Sequence, residues 1–115
     1  MKPDFTGYAT KAGILCTDGL TIQHGAFKHQ DKQRVPLVWS HGRNGPTDVL
    51  GYAVLEAKEG DMLAHAFFND SDEADAARIR VQHGDVTMLS IWANGLAVTN
   101  DHVTHGAIRE VSLVL

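Results

Sequence analysis

The chain has a single cysteine, Cys16, and it has no long apolar run. One cysteine excludes an intramolecular disulfide and is typical of proteins kept in a reducing compartment. The N-terminus lacks the apolar centre of a secretion signal, and no stretch approaches the length needed to cross a membrane. A net charge of −4 provides no basic surface for a nucleic acid. These absences predict a cytosolic protein with no nucleic-acid and no membrane partner.

The common sequence signatures of nucleotide-binding proteins and hydrolases are also missing. There is no Walker loop, no dinucleotide-binding glycine pattern and no Gly-x-Ser-x-Gly elbow. Seven histidines suggest a metal site, but His102 and His105 would fall on opposite faces of a strand, and the others are scattered. We therefore expect no cofactor and no metal. A small histidine-rich metal-binding protein remains the weaker alternative.

What is present is typical of one globular domain over residues 1–115. Hydrophobic residues make up 43% and charged residues 21% of the chain, with no repeat or linker. Short strand-like segments between turn residues predict an α+β, mostly β domain, a sandwich or a barrel. The one clear helix is predicted at about 72–83, with Ser71 among the candidate caps and Gly84 as a left-handed end.

The predicted strands are short and separated by turn-forming residues. They cover residues 5–12, 35–40, 49–58, 62–68, 86–93, 96–103 and 107–115. Glu59-Gly60-Asp61 is expected to be a hairpin turn, as are Asn94-Gly95 and His105-Gly106 between the last three strands. Pro36 places the second strand at a strand start or a sheet edge, because proline cannot donate a ladder hydrogen bond.

Two polar residues stand in apolar, strand-like segments. His41 follows the strand that contains Pro36, and Ser90 lies between Leu89 and Ile91. A nucleophilic hydroxyl needs a base, and histidine is the usual one near neutral pH. The local pattern leaves two interpretations open. Ser90 is either a nucleophile or a buried hydroxyl bonded to a carbonyl, and His41 is either its base or a partly exposed strand end.

Glu110 also allows two interpretations. Alternation along the last strand places Val111, Leu113 and Leu115 in the core and turns Glu110 and Ser112 outward. An outward carboxylate is either a solvated charge or the group that orients a histidine in a triad.

An ordered series of segments carries a resemblance to a known family. The segments are 5–9, 25–27, 35–41, 49–54, 84–91 and 110–114, which together cover nearly the whole chain. The series resembles the tailed-phage (caudovirus) prohead serine proteases, which are related to the herpesvirus assemblin proteases. The segments around His41 and Ser90 are its most specific parts. The resemblance implies an assemblin-like, closed or nearly closed β-barrel with short helical decoration.

The resemblance also implies roles for individual residues. Ser90 would be the nucleophile, His41 the general base and Glu110 the third member of the triad. The herpesvirus relatives use a second histidine in the third role, so His65 and His105 stay as substitutes. The loop 42–45 is a candidate lining of the oxyanion site with Arg43 as a charged donor, although an exposed loop facing solvent explains it equally well.

The implied function is that of a serine endopeptidase of prohead maturation. It would cleave scaffold protein, the N-terminal segment of the capsid protein and itself, inside the assembling prohead in the bacterial host cytoplasm, and self-association is expected. Trp92 stands where the family usually has glycine. This departure favours the alternative, a catalytically inactive scaffold or capsid-assembly component. The end at Leu115 suggests either a shortened chain or a core left by self-cleavage.

Overall fold

The computed structural model describes residues 2–16, 18–42 and 44–115. Within these residues the chain forms seven strands and one α-helix. The elements in chain order are β1 (Phe5–Thr10), β2 (Thr21–Ile22), β3 (Arg34–Trp39), β4 (Val49–Lys58), β5 (Asp61–Phe68), α1 (Asp72–His83), β6 (Met88–Thr99) and β7 (His102–Val114). Short 3₁₀ turns at Lys28–Gln30 and Pro46–Asp48 flank β3. No helix in this part of the chain is long and apolar enough to cross a membrane.

All seven strands belong to one sheet, in which β7 pairs with three other strands. The order is β1-β5-β4-β3-β7-β2, and β6 pairs with β7 beside this path. β3 and β2 run parallel to β7 at its two ends, whereas β6 is antiparallel to β7 along almost its whole length. β7 therefore connects the strand before His41 to the strand that contains Ser90.

The sheet curls but does not close. Its free edges, β1 and β6, approach each other without a ladder between their described residues. A Cβ atom built on Gly7 would lie 3.1 Å from Leu89 Cδ1, so a side chain occupies the gap where the ladder would close. The prediction of a mostly β, α+β domain is confirmed. The prediction of an assemblin-like, closed or nearly closed barrel is corrected to an open, curled half-barrel.

The helix prediction is confirmed at both ends. Ser71 Oγ accepts a hydrogen bond from the Ala74 N–H at 3.1 Å, and Gly84 adopts φ 89° and donates to the Arg80 and Val81 carbonyls. The buried side chains Ala74 and Ala77 pack this helix against β4 and β5. Caps are local signals, which is why the sequence predicts them well.

The three strands predicted at 86–93, 96–103 and 107–115 are two longer strands, and the turns expected at Asn94-Gly95 and His105-Gly106 are wrong. β6 and β7 continue through these residues, with register shifts in the ladder between Asn94 and Ala97. Glycine is tolerated in a strand at such irregularities, so it does not always mark a turn. The connecting turn lies at Asn100 and Asp101, which both have positive φ.

Pro36 occupies a position that suits it. β3 lies between β4 and β7, but its ladder with β7 begins at Leu37, one residue after the proline. On that side of the strand Pro36 is still at an edge, as the absence of its N–H requires.

The core fills the inside of the curl. Its largest fully buried side chains come from β3, β4, β5 and β7, and they are Leu37, Leu50, Leu55, Met62, Ile108, Val111 and Leu113. The strands that position the candidate site are thus anchored in the best-packed part of the molecule.

Candidate active site

Two of the three predicted site residues lie on neighbouring strands. The β6–β7 ladder places Ser90 opposite Ser112 and Trp92 opposite Glu110. Residues two apart on a strand point to the same face, as do directly paired residues on neighbouring strands. These four side chains therefore share one face of the sheet.

His41 reaches this face through a sharp turn after β3. Trp39 is the last β3 residue paired with β7, and the Ser40 N–H donates to the Leu113 carbonyl at 2.8 Å. Ser40 and His41 then adopt φ 48° and 58°, a left-handed conformation that costs roughly 1–3 kcal/mol at a non-glycine residue. The His41 N–H donates to Ser112 Oγ at 2.6 Å, which helps to hold the turn in place.

The three side chains form a continuous hydrogen-bonded chain. His41 Nε2 lies 3.1 Å from Ser90 Oγ, and His41 Nδ1 lies 2.8 Å from Glu110 Oε1. Because a carboxylate can only accept, we assign the proton to Nδ1, which leaves Nε2 free to accept the Ser90 hydroxyl proton. The arrangement can take a proton from a serine hydroxyl, as a nucleophilic triad does.

The hydrogen-bonded side chains of this site differ in burial. Glu110 is only 5% exposed, while the His41 side chain is 38% exposed. The interpretation of Glu110 as a solvated charge is therefore wrong. Ser112 is also fully buried, whereas Leu115, which was expected in the core, is exposed. The turn that contains His41 covers this face of β7. Because that turn comes from a distant part of the sequence, alternation along β7 alone cannot predict that the face is buried.

Ser112 is the functional residue that the sequence reasoning did not assign. Its hydroxyl accepts from the His41 backbone and so positions the imidazole over Glu110. A signal was present in the sequence, since Ser112 lies two residues after Glu110 and shares its face of the strand.

The two substitute histidines lie elsewhere. His65 Nδ1 lies 2.8 Å from Thr6 Oγ1, and its Nε2 lies 2.8 Å from Glu56 Oε1. The His105 ring stacks on His29, with centroids 4.3 Å apart. Neither ring contacts His41 in the part of the chain that the structure describes, so Glu110 alone fills the third position.

Trp92 lies beside the serine and is partly exposed. Although both faces of this part of β6 are apolar in sequence, only one is buried: Met88 and Trp92 are exposed, while Leu89 and Ile91 pack against the core. The indole shares the face of Ser90, but Ser90 keeps its contact with His41. Trp92 therefore helps to shape the surface around the hydroxyl without breaking the triad geometry.

Two grooves meet at Ser90. One has a volume of about 370 Å³ and extends past Trp92, and the other has about 670 Å³ and extends past Met88. A third cavity of about 360 Å³ lies beside α1 and Trp39, and its described lining contains no member of the triad. Ser90 thus lines both grooves, whereas His41 and Glu110 are not among their described lining residues.

In the loop 42–45, the predicted oxyanion lining, two of the described N–H groups already have partners. The Gly42 N–H donates to the Trp39 carbonyl at 2.9 Å, and the Asn44 N–H donates to Asp48 Oδ2 at 2.7 Å. Both donors are thus used within the loop. Arg43, the predicted charged donor, lies outside the described residues.

Comparison of the chain with protein-family models, curated proteins and solved structures gives no match. Among residues 2–16, 18–42 and 44–115, no three His, Cys, Asp or Glu side chains converge as metal ligands would.

Proposed function

We propose that this protein is a serine endopeptidase of the prohead-maturation type. The observation that carries the proposal is the hydrogen-bonded chain Ser90–His41–Glu110, with distances of 3.1 and 2.8 Å, at the junction of two open grooves. A strained turn holding the imidazole and a buried carboxylate behind it are typical of nucleophilic sites.

Each residue has a distinct part in the reaction. His41 Nε2 accepts the Ser90 proton as Oγ attacks the peptide carbonyl, and it then gives that proton to the leaving amine. Glu110 keeps the imidazole in the required tautomer and stabilises its protonated form without taking the proton itself. Water then attacks the acyl group while His41 Nε2 takes its proton. The bond to Ser90 Oγ breaks, and His41 returns the proton to the serine oxygen.

The proposed substrates are the scaffold protein and the N-terminal segment of the capsid protein, together with the protease itself. The ordered segments that resemble the prohead proteases support this assignment. Enclosure with the substrate inside a prohead, in the bacterial host cytoplasm, raises the effective concentration, so modest affinity suffices. Self-association belongs to the same proposal. None of this depends on barrel closure, because β3, β6 and β7 build the site.

A second candidate is a catalytically inactive scaffold or capsid-assembly component with the same fold. Trp92 is the observation that favours it. Its partly exposed indole lies on the same face as Ser90, where a bulky group narrows the approach of a substrate.

Labelling with a fluorophosphonate distinguishes the two candidates, because the reagent forms a stable adduct only with an activated serine. We expect one adduct per chain, located on Ser90 by peptide mapping, and none in Ser90→Ala. His41→Ala should slow labelling by about 10²–10⁴-fold, the usual loss on removing a general base. Incubation of the capsid and scaffold proteins with the unsubstituted protein (the parent) should give cleavage products, whereas incubation with either variant should give none.

His65→Ala is the matched control. His65 also bridges a hydroxyl and a carboxylate, yet it lies outside the site, so its loss should leave the labelling rate unchanged. If the parent is not labelled, or Ser90→Ala is labelled equally, the endopeptidase proposal fails and the inactive-component proposal is favoured.

A further inference from the structure

We infer that the segment bound at Ser90 is an extended peptide with bulky apolar side chains on both sides of the scissile bond. The inference rests on the proposed function for the cleavage step, but not for the binding step. It is drawn from the lining of the two grooves, which share Ser90.

The larger groove is lined by apolar side chains from three separate parts of the chain. β1 contributes Tyr8, the segment after β1 contributes Ile14 and Leu15, and β6 contributes Met88 and Leu89. Four of these five side chains are strongly exposed, and Leu15 reaches 69%. Single exposed apolar residues are ordinary on a protein surface, but convergence of several on one groove marks a binding site.

The smaller groove continues the apolar surface on the other side of Ser90. Its floor contains the buried Phe27, and Trp92 and Leu96 are exposed along its wall. The two grooves share Cys16, Ile22, Ser90 and Ile91. An extended peptide that crosses Ser90 therefore places side chains in both grooves at once.

Charged side chains are few in the described lining of both grooves. Lys11 is in the larger groove, where its Nζ lies 4.8 Å from the Tyr8 ring centroid. Asp18 is in the smaller groove, where its Oδ1 accepts from the Leu20 N–H at 3.0 Å. Away from Lys11 and Asp18, a charged substrate side chain would lose water without gaining a charged partner in the described lining, whereas an apolar one would gain by burial.

Cys16 provides a readout of binding that needs no catalysis. It is the only cysteine, it is exposed, and it lines both grooves. In the full-length Ser90→Ala variant, the rate of Cys16 alkylation by iodoacetamide can be followed by intact mass. The probes are two capped decapeptides with a central Ala–Ala bond, flanked on each side by paired leucines in one and by paired glutamates in the other.

We expect the leucine peptide to slow alkylation saturably, by about tenfold at a concentration about ten times its Kd, because only free protein reacts. The glutamate peptide should give no protection. Equal protection by both peptides, or none by the leucine peptide, would overturn the inference.

Two surface variants locate the effect in the groove. Leu15→Glu, in the same Ser90→Ala background, should remove the protection measured as the ratio of rates with and without peptide. Ile79→Glu changes a similarly exposed apolar residue on α1, outside both grooves, and should leave that ratio unchanged. If Leu15→Glu is protected as well as Ile79→Glu, the groove is not the binding site.

The active chain separates this inference from the proposed function. The chain with Ser90 intact should cleave the leucine peptide at the central bond and leave the glutamate peptide whole. If the leucine peptide protects Cys16 in Ser90→Ala but is not cleaved by the chain with Ser90, the endopeptidase proposal fails and the apolar binding groove stands. If the glutamate peptide is cleaved preferentially, the endopeptidase proposal stands and the inference of an apolar peptide fails.

Discussion

Two histidines of this molecule have the same kinds of partner, and the comparison shows what makes one of them a catalytic candidate. His41 and His65 each lie between a hydroxyl and a carboxylate at distances of 2.8 to 3.1 Å. His65 stands in a regular strand, and its carboxylate partner is about half exposed. His41 stands on a strained turn above a buried carboxylate, and its hydroxyl partner Ser90 lines two grooves. Burial and access, rather than partner type, separate the two sites.

The role of the Glu110 carboxylate can be tested with one conservative substitution. Glu110→Gln keeps the size of the side chain but allows its amide to donate to His41 Nδ1, which would move the imidazole proton to the wrong nitrogen. We expect the fluorophosphonate labelling rate of Ser90 to fall by about 10³–10⁴-fold, similar to the loss when a triad carboxylate is made an amide.

The unfolding midpoint in urea is the control for Glu110→Gln. It should remain within the range of ordinary conservative substitutions, because the amide still fills the site and still bonds to His41. A labelling rate within a few-fold of the parent would remove Glu110 from the triad.

Among the elements, β4 carries a bulge opposite the last residues of β3. The β3–β4 register shifts between Leu37, opposite Gly51, and Val38, opposite Val49. Gly51 adopts φ 156°, and a Cβ built on it would lie only 2.0 Å from the Phe67 carbonyl oxygen. A bulge bends the strand that carries it, and the bend brings the Gly51 backbone close to β5.

Gly51→Ala should therefore destabilise the protein by at least about 2 kcal/mol, since a new Cβ would clash with backbone that cannot move cheaply. Urea unfolding followed by circular dichroism measures the change. Gly45→Ala is the control, because Gly45 is extended and, apart from its chain neighbours, no heavy atom of the described residues lies within 4 Å of its Cβ position. It should shift stability by no more than about 0.5 kcal/mol. Similar midpoints for both variants would contradict the close approach at Gly51.

At the scale of the whole molecule, packing divides β6 into two halves. The half with Ser90 pairs with the buried end of β7, while Leu96–Thr99 are exposed around the turn at Asn100–Asp101. The strands beneath the site belong to the main core, with Leu37 and Leu113 buried in it. The candidate site thus lies on the rigid part of the sheet, as a triad that must keep its distances requires.

Hydrogen exchange measured by mass spectrometry should show this division. Amides of 35–39, 50–55 and 108–113 should exchange slowest, because they open only when the core unfolds. Amides of 96–101 should exchange fastest within the β6–β7 hairpin. Residues 88–93 of the same strand are the internal reference and should be more protected than 96–99. Uniform protection along β6 would contradict the division.

Local sequence determined the elements whose signals are local. α1 has its cap at Ser71 and its left-handed end at Gly84, and the β4–β5 hairpin turns at Glu59-Gly60 as predicted. Glycine is common both in turns and at irregular positions in strands. At Gly95 and Gly106 the local pattern predicted turns, but both residues lie at irregular positions within strands. Glycine permits both, and only pairing with the neighbouring strand decides between them.

The site itself was decided by tertiary structure. Residue types made Ser90, His41 and Glu110 candidates, but His41 is 49 residues from Ser90 and 69 from Glu110. They meet because β3 runs parallel to β7, β6 pairs with β7 antiparallel, and a strained turn folds His41 back over Glu110. Long-range strand pairing, and the burial that comes with it, leaves no local pattern. The sequence alone therefore determined the chemical groups available, and the fold decided which of them are in contact.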